Sequence, residues 1–395
     1  MKKTQIDPFD SKSENRYKAF EQMRAEAPVH ETSRGPRFVV GQRAVADGLA
    51  SVESFVGSFG DTGEAAEEDT VMAAIAEPRH GKIRRLFNSA LGFHHVSQIE
   101  PFVRDYSAER LEESLELAAR DGDVEIMESF ARRIPSAVIA EVLGIPGDRT
   151  DDFARWSDEL LADQGGTDAA TRPIGALHAE FSTYLEEQIT IRAEADEPPD
   201  DMITRLVHTE IEGERLSQRA VLTQSMFLII AGNETTRNLI GNLIYRLAGD
   251  PDLYRQIQDD RELVPTLVEE SLRIDSPVQL LARTCTRDVE IDGVQVKQGD
   301  RVLHSIASAN RDESVYPDAD QFRLDRARPR DHVAFGAGPH ICPGAFLARM
   351  EAEVAVETLL DRVATLALAA GYVFDPNPVF WALGPQTLRV TLKRA

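Results

Sequence analysis

Cysteine is nearly absent. Only Cys285 and Cys342 occur in 395 residues, too few for a disulfide framework in a chain this long and in keeping with a reducing compartment. Long apolar runs are missing as well: the strongest, residues 226–232, falls far short of the ~20 residues a membrane-spanning helix needs. The opening MKKTQIDPFD has a short basic start with no apolar segment behind it, so neither a secretory signal nor a membrane anchor is expected. Positive charge is scarce, with 44 Lys+Arg against 67 Asp+Glu and a net charge of −23. That balance argues against nucleic acid or an anionic membrane as the main partner. What remains is a cytoplasmic protein with two unpaired thiols.

Helical periodicity dominates the rest. Segments 101–120, 172–195 and 217–248 carry apolar residues at three- and four-residue spacing between charges. Strand signals are few and late: Val289 to Val296 alternates around an Asp-Gly turn, and Leu388 to Leu392 alternates again. The predicted class is mainly α with small β-sheets. No Pro/Ser-rich linker and no repeat divides the chain, so residues 1–395 are read as one domain. Proline is missing between Pro199 and Pro251, and Ser217 as N-cap with Gly249-Asp-Pro251 as the stop predicts one helix of roughly thirty residues. Its middle, AGNETT (Ala231 to Thr236), places glycine, a carboxylate and two threonines where helix propensity disfavours them. The Thr235 hydroxyl is within reach of the Ala231 carbonyl, which would open a polar notch beside Glu234.

Proline and glycine concentrate instead around Cys342, in FGAGPHICPG (Phe335 to Gly344). No CxxC exists, which disfavours zinc. A cysteine nucleophile with His340 as base, a buried inert thiol and an axial thiolate on haem iron are the remaining readings. The thiolate reading accounts for the loop's composition. Backbone N–H groups turned toward an anionic sulfur need tight turns with positive φ or close approach, hence Gly336, Gly338 and Gly344. A helix read from Pro343 to Leu360, with Cys342 at or near its N-cap, would add its dipole. Pro343 cannot donate to sulfur, which predicts more charge left on it.

The pattern Phe335-x-x-Gly338-x-x-x-Cys342-x-Gly344 resembles the haem-binding signature of cytochrome P450 monooxygenases. Other fragments fall in that family's order: His80-Gly-Lys-Ile-Arg84, AGNETT in the family's long central I helix, Glu270-x-x-Arg273, and Ala309-Asn-Arg-Asp312. The resemblance covers essentially the whole chain. It implies the cytochrome P450 fold, with the long I helix lying over a haem b whose iron takes Cys342 as axial thiolate. His80, Arg84, Arg283 and His340 would hold its propionates, with Ala231, Phe335, Gly336 and Gly344 beside the ring. Glu270, Arg273 and Arg326 would form a structural network behind it, and Glu234 with Thr235 an acid–alcohol pair delivering protons during dioxygen activation.

The same resemblance implies electrons from NAD(P)H arriving indirectly, through a ferredoxin and a ferredoxin reductase, to a protein expected to be monomeric. Lys82, Arg85 and Arg349 are read as the basic patch for that partner. The substrate would be a hydrophobic small molecule (terpenoid, steroid, fatty acid or aromatic) because the pocket positions are nearly all apolar. They are Val71, Met72, Ile75, Phe227, Ile230, Val278, Gln279, Leu281, Phe380 and Trp381, and AGNETTRN resembles the version in some sterol-side-chain and alkane hydroxylases. A peroxide-driven peroxygenase would not need Glu234 and Thr235, and a non-catalytic haem sensor would need an output module; both are rivals.

Overall fold

The computed structural model describes residues 2–3, 16–32, 35–57, 66–149, 152–153, 155–156, 159, 174, 177–211, 213–377 and 381–395. Its axis is the helix Gln218–Gly249. Ser217 caps it by accepting the Ala220 N–H at 3.1 Å. The next helix, Pro251–Asp259, starts at once, with Pro251 in its first turn and Asp250 capping two N–H groups. The central helix packs against helices Arg133–Leu143, Ala179–Glu194 and Ala345–Arg362, and its apolar residues form the middle of the main core. Gly232 serves that packing: a Cβ there would lie 2.5 Å from Ile139 Cδ1.

A six-stranded sheet stands beside this helical body, in the order Lys2–Lys3, Val29–Glu31, Arg37–Val39, Arg301–Ser305, Leu280–Cys285, Phe55–Gly57. Sequence reading misses it, because most of its strands are two or three residues long and its two longer ones, Arg301–Ser305 and Leu280–Cys285, alternate poorly. The hairpin Val289–Ile291/Val294–Val296 and the strand Arg389–Arg394 do form, the latter pairing with Val363–Leu368 and Val124–Glu125.

Several boundaries differ from the sequence reading. Helix Phe93–Asp121 begins eight residues before Pro101 and runs through it, because Val96, Ile99 and Val103 continue one buried stripe across the proline. The helix expected over 172–195 is Ala179–Glu194, with the His178 ring accepting from the Phe181 N–H. The helix after the cysteine is Ala345–Arg362 with Gly344 at the N-cap, so Pro343 and Cys342 lie before it. No described helix is long and apolar enough to cross a membrane.

Candidate active site

The cysteine loop is held by its own backbone. Cys342 N–H donates to the Phe335 carbonyl at 2.9 Å, and Gly336 N–H donates to that of Val333 at 2.9 Å. Gly336 and Gly338 have φ of +79° and +69°, and a Cβ on Gly338 would sit 2.5 Å from Ala50 Cα. Both glycines are therefore required by conformation. Gly344 is different: its φ is −85°, and a Cβ would meet only Cys342 Sγ, at 3.9 Å. Its contribution is an N–H on the sulfur. Burial pushes the Cys342 thiol up, while that N–H and the guanidinium groups of Arg84 and Arg349 pull the other way.

Beside the loop the fold gathers cations. His80 and His340 stack with ring centroids 3.8 Å apart; His80 is buried, its Nδ1 on Glu77 at 2.7 Å and its Nε2 without a partner. Arg84 is buried with its Nε on Asn88. Arg283, on strand Leu280–Cys285, is buried and donates only to the Ala282 carbonyl, and desolvation lowers its pKa to about 10. Burial, then His80 and Arg283, lower His340 to about 4. His304, buried one strand over, falls to about 3 through burial and Arg283. Two arginines and three histidines thus share a region where, among the described residues, Glu77 is the one acid that bonds any of them.

The centre of the long helix is partly uncovered. Ala231 is exposed and Thr235 half-buried within an otherwise buried helix, and the Thr235 hydroxyl donates to the Ala231 carbonyl at 2.8 Å. Glu234 points elsewhere. Its buried Oε1 accepts from Arg237 at 2.8 Å, Asn238 at 3.1 Å and Asn377 at 2.5 Å. The two residues are adjacent in sequence, yet a proton passing from the Glu234 carboxylate to Thr235 Oγ1 needs a rotation or an intervening water.

A match to the "Cytochrome P450" family model spans residues 172–365. A vitamin D(3) 25-hydroxylase of Pseudonocardia autotrophica is 38% identical over 76% of this chain and 72% of its own length. A steroid C26-monooxygenase of Mycolicibacterium smegmatis is 30% identical over 94% and 91%. The solved structure of CYP109Q5 from Chondromyces apiculatus superposes with a TM-score of 0.86 at 34% identity, covering 99% of this chain and 98% of that one. The chain belongs to the cytochrome P450 family. It is a P450 monooxygenase, with the fold of that family.

The family implies haem on a cysteine thiolate, and the residues present fit such a group. A planar dianion would give the buried Arg283 guanidinium the counter-charge it lacks and His80 Nε2 a partner. Arg84 and Arg349 already bias Cys342 toward the thiolate. Cys342, His80, Arg84, Arg283 and His340 would hold the group.

Behind this P450's cysteine loop lie two buried carboxylates. Glu270, fully buried, accepts from Arg273 at 2.7 and 2.8 Å, from Arg326 at 2.9 and 3.0 Å and from the Arg323 N–H. Arg273 continues to the carbonyls of Asn310, Ala319 and Gln321. Glu269, its neighbour, was not singled out from sequence. It binds Arg349 at 2.6 and 3.1 Å, Arg330 at 3.0 Å and His332 at 2.9 Å. Arg349 lies 4.5 Å above the Phe335 ring, so it braces the cysteine loop and is not a free cation of the expected docking patch. Arg85 remains exposed and Lys82 half-buried.

Of the expected pocket residues, Val71, Met72 and Ile75 sit on and beside the short turn 72–74, buried in the same large core cluster that contains Phe227 and Ile230. Val278 bridges to Ala382, and Gln279 N–H donates to the Trp381 carbonyl at 2.8 Å. Trp381 packs on the smaller cluster containing Phe20, Phe38, Leu280 and Leu303, whereas Leu281 packs with the other sheet cluster. Phe380 lies outside the described residues.

Proposed function

We propose that this P450 hydroxylates a C–H bond of a hydrophobic small molecule, a steroid-class compound first, with electrons from a ferredoxin and its NAD(P)H-dependent reductase in the cytoplasm. The observation that carries the reading is the cluster of buried, under-neutralised cations, His80, Arg84, Arg283 and His340, gathered beside the Cys342 loop. When bound there, haem supplies dioxygen activation and oxygen transfer, with the thiolate favouring O–O cleavage. The chain's own part is to hold and exclude. As the ligand Cys342 would be a thiolate, a charge that the Gly344 N–H, Arg84 and Arg349 favour against the burial that opposes it; Thr235 Oγ1, already bonded to the Ala231 carbonyl, can pass a proton on from the central helix. Glu234 is the proton source behind it once it leaves Asn377. Sequence similarity to a vitamin D(3) hydroxylase and a steroid monooxygenase, together with apolar walls, supports the steroid class.

The test is spectroscopic. Reduced protein with carbon monoxide should show the strongly red-shifted Soret band of a thiolate complex, absent in Cys342→Ser, and steroids should shift the ferric spin state. A band unchanged in Cys342→Ser overturns the ligand assignment. Normal haem binding with no spin response to any steroid, but a response to fatty acids or monoterpenes, overturns the substrate class alone. For the partner, reversing Arg85 and Lys82 should weaken ferredoxin-driven reduction and its salt dependence.

A further inference from the structure

Gln224 is a buried side chain, 2% exposed, whose hydrogen bonds serve another part of the chain. It lies eleven residues before Thr235 on the central helix, roughly 16 Å at ~1.5 Å per residue. The spacing 224, 231, 235 sets it on the helix face that carries the uncovered Ala231 and Thr235. Its Nε2 donates to the Thr70 carbonyl at 2.9 Å, and its Oε1 accepts the Met72 N–H at 2.9 Å. One amide therefore does for this short segment what a neighbouring strand would do. On its other side the segment meets the sheet edge: Gly57 must be glycine because a Cβ would overlap the Ala73 carbonyl oxygen, and Gly57 pairs in register with Arg283. Residues 70–75 thus lie between the central helix and the edge strand Phe55–Gly57, which pairs with the strand that carries a proposed haem-holding arginine.

Two outer pins accompany the clamp. Arg219 reaches Asp69 with two bonds of 2.6 Å, and Ser217 Oγ bonds Glu68 at 3.0 Å. Arg219 is more than half exposed, so salt weakens that pin. The Gln224 contacts are neutral and dry, and salt leaves them intact. Both ends of the amide are engaged with backbone, and the side chains beside it, Val71, Met72 and Ile75, are apolar and buried.

We propose that Gln224 is a positioning residue that sets the size selectivity of the substrate cavity. By holding Thr70–Met72 closed it lets small apolar ligands bind freely and makes large ones displace the wall at the expense of two buried hydrogen bonds. The inference rests on the haem-site reading above and adds the residue that limits which members of the substrate class enter.

Ferric holoenzyme titrated with imidazole and with clotrimazole, an imidazole bearing three aromatic rings, tests it through the Soret shift of nitrogen ligation. In Gln224→Leu, which leaves the Thr70 carbonyl and Met72 N–H unpaired, clotrimazole should bind about ten-fold tighter, the equivalent of two modest hydrogen bonds, with imidazole unchanged. Gln224→Glu, which keeps the acceptor and loses the donor, should fall between, and Arg219→Ala or added salt should change neither. In haem-free protein, amide exchange in residues 67–76 should quicken in Gln224→Leu and not in Arg219→Ala, a readout independent of haem. Equal selectivity and equal exchange in wild type and Gln224→Leu would overturn the clamp. Wild-type protein that shows no Soret shift with either azole overturns the haem reading as well, whereas normal shifts with unaltered selectivity overturn the clamp alone.

Discussion

Replacing Glu269 by glutamine removes the one carboxylate that binds Arg349, Arg330 and His332 together. Burial alone would raise its pKa, but the bonds from His332 and Arg349 win and bring it from 4.5 to about 2. With ~1.36 kcal/mol per pKa unit, that difference is worth about 3 kcal/mol of folding stability at neutral pH. The sign follows from the depressed folded pKa. The contribution is fully present above about 4.5, where the unfolded carboxylate is also ionised, and is lost as pH falls toward 2. It shrinks to about 2 kcal/mol at pH 3.5. Glu269→Gln should therefore unfold in urea about 3 kcal/mol sooner at pH 7, a Tm shift of about 4 °C for a chain this size, and the gap to wild type should narrow at pH 3.5. Unfolding followed by circular dichroism at both pH values measures this. A loss below about 1 kcal/mol, or a gap that does not change with pH, refutes the claim that ionised Glu269 braces the cysteine loop.

Arg283→Leu should act with opposite signs on two quantities, because the guanidinium is buried with only a carbonyl as partner. The haem-free protein should melt higher by the equivalent of about 1–3 kcal/mol, while haem affinity falls at least ten-fold in a transfer assay; a fall in both would assign Arg283 a structural role. Gly338→Ala should lower stability by about 2 kcal/mol or more, since the left-handed backbone and the 2.5 Å approach to Ala50 Cα both oppose a Cβ, and a denaturation midpoint equal to wild type would contradict it. Thr235→Ala should keep NAD(P)H consumption within a few-fold while product per NAD(P)H drops about ten-fold or more, the lost proton relay appearing as released peroxide. Unchanged coupling would take Thr235 out of the proton path.

The fold was legible where period and caps agree. Ser217, the proline-free run and Asp250-Pro251 mark the central helix at both ends, because capping is local chemistry written within four residues of each terminus. The six-stranded sheet was not legible. Its strands Val29–Glu31, Arg37–Val39 and Phe55–Gly57 are too short for alternation to show, and strand Arg301–Ser305 carries His304 into the interior. That inward histidine depends on a contact 256 positions away in sequence, with Gly48, whose missing Cβ makes room for the ring. Strand order and that kind of clearance are tertiary facts, and no window along the chain holds them.

The site divides on the same line. Cys342, Gly338 and the Glu270–Arg273 pair were reached because each falls in a short motif that resembles the family's, whereas the i,i+3 spacing of Glu270 and Arg273 alone is that of any surface ion pair. Glu269 was not, although it is as buried as Glu270, since its partners Arg330, His332 and Arg349 arrive from segments 61 to 80 residues later. The consequence reaches function. From sequence, Arg349 is one basic residue among three on the face a redox partner would use; in the fold its charge is turned inward and cancelled, and its plane rests on Phe335. For the ferredoxin proposed above, the exposed Arg85 on the helix Arg79–Ala90 is then the first candidate contact, on the helix that also supplies His80 and Arg84. Arg349→Ala should accordingly harm the stability of the cysteine loop far more than the salt dependence of electron transfer, and Arg85→Glu the reverse.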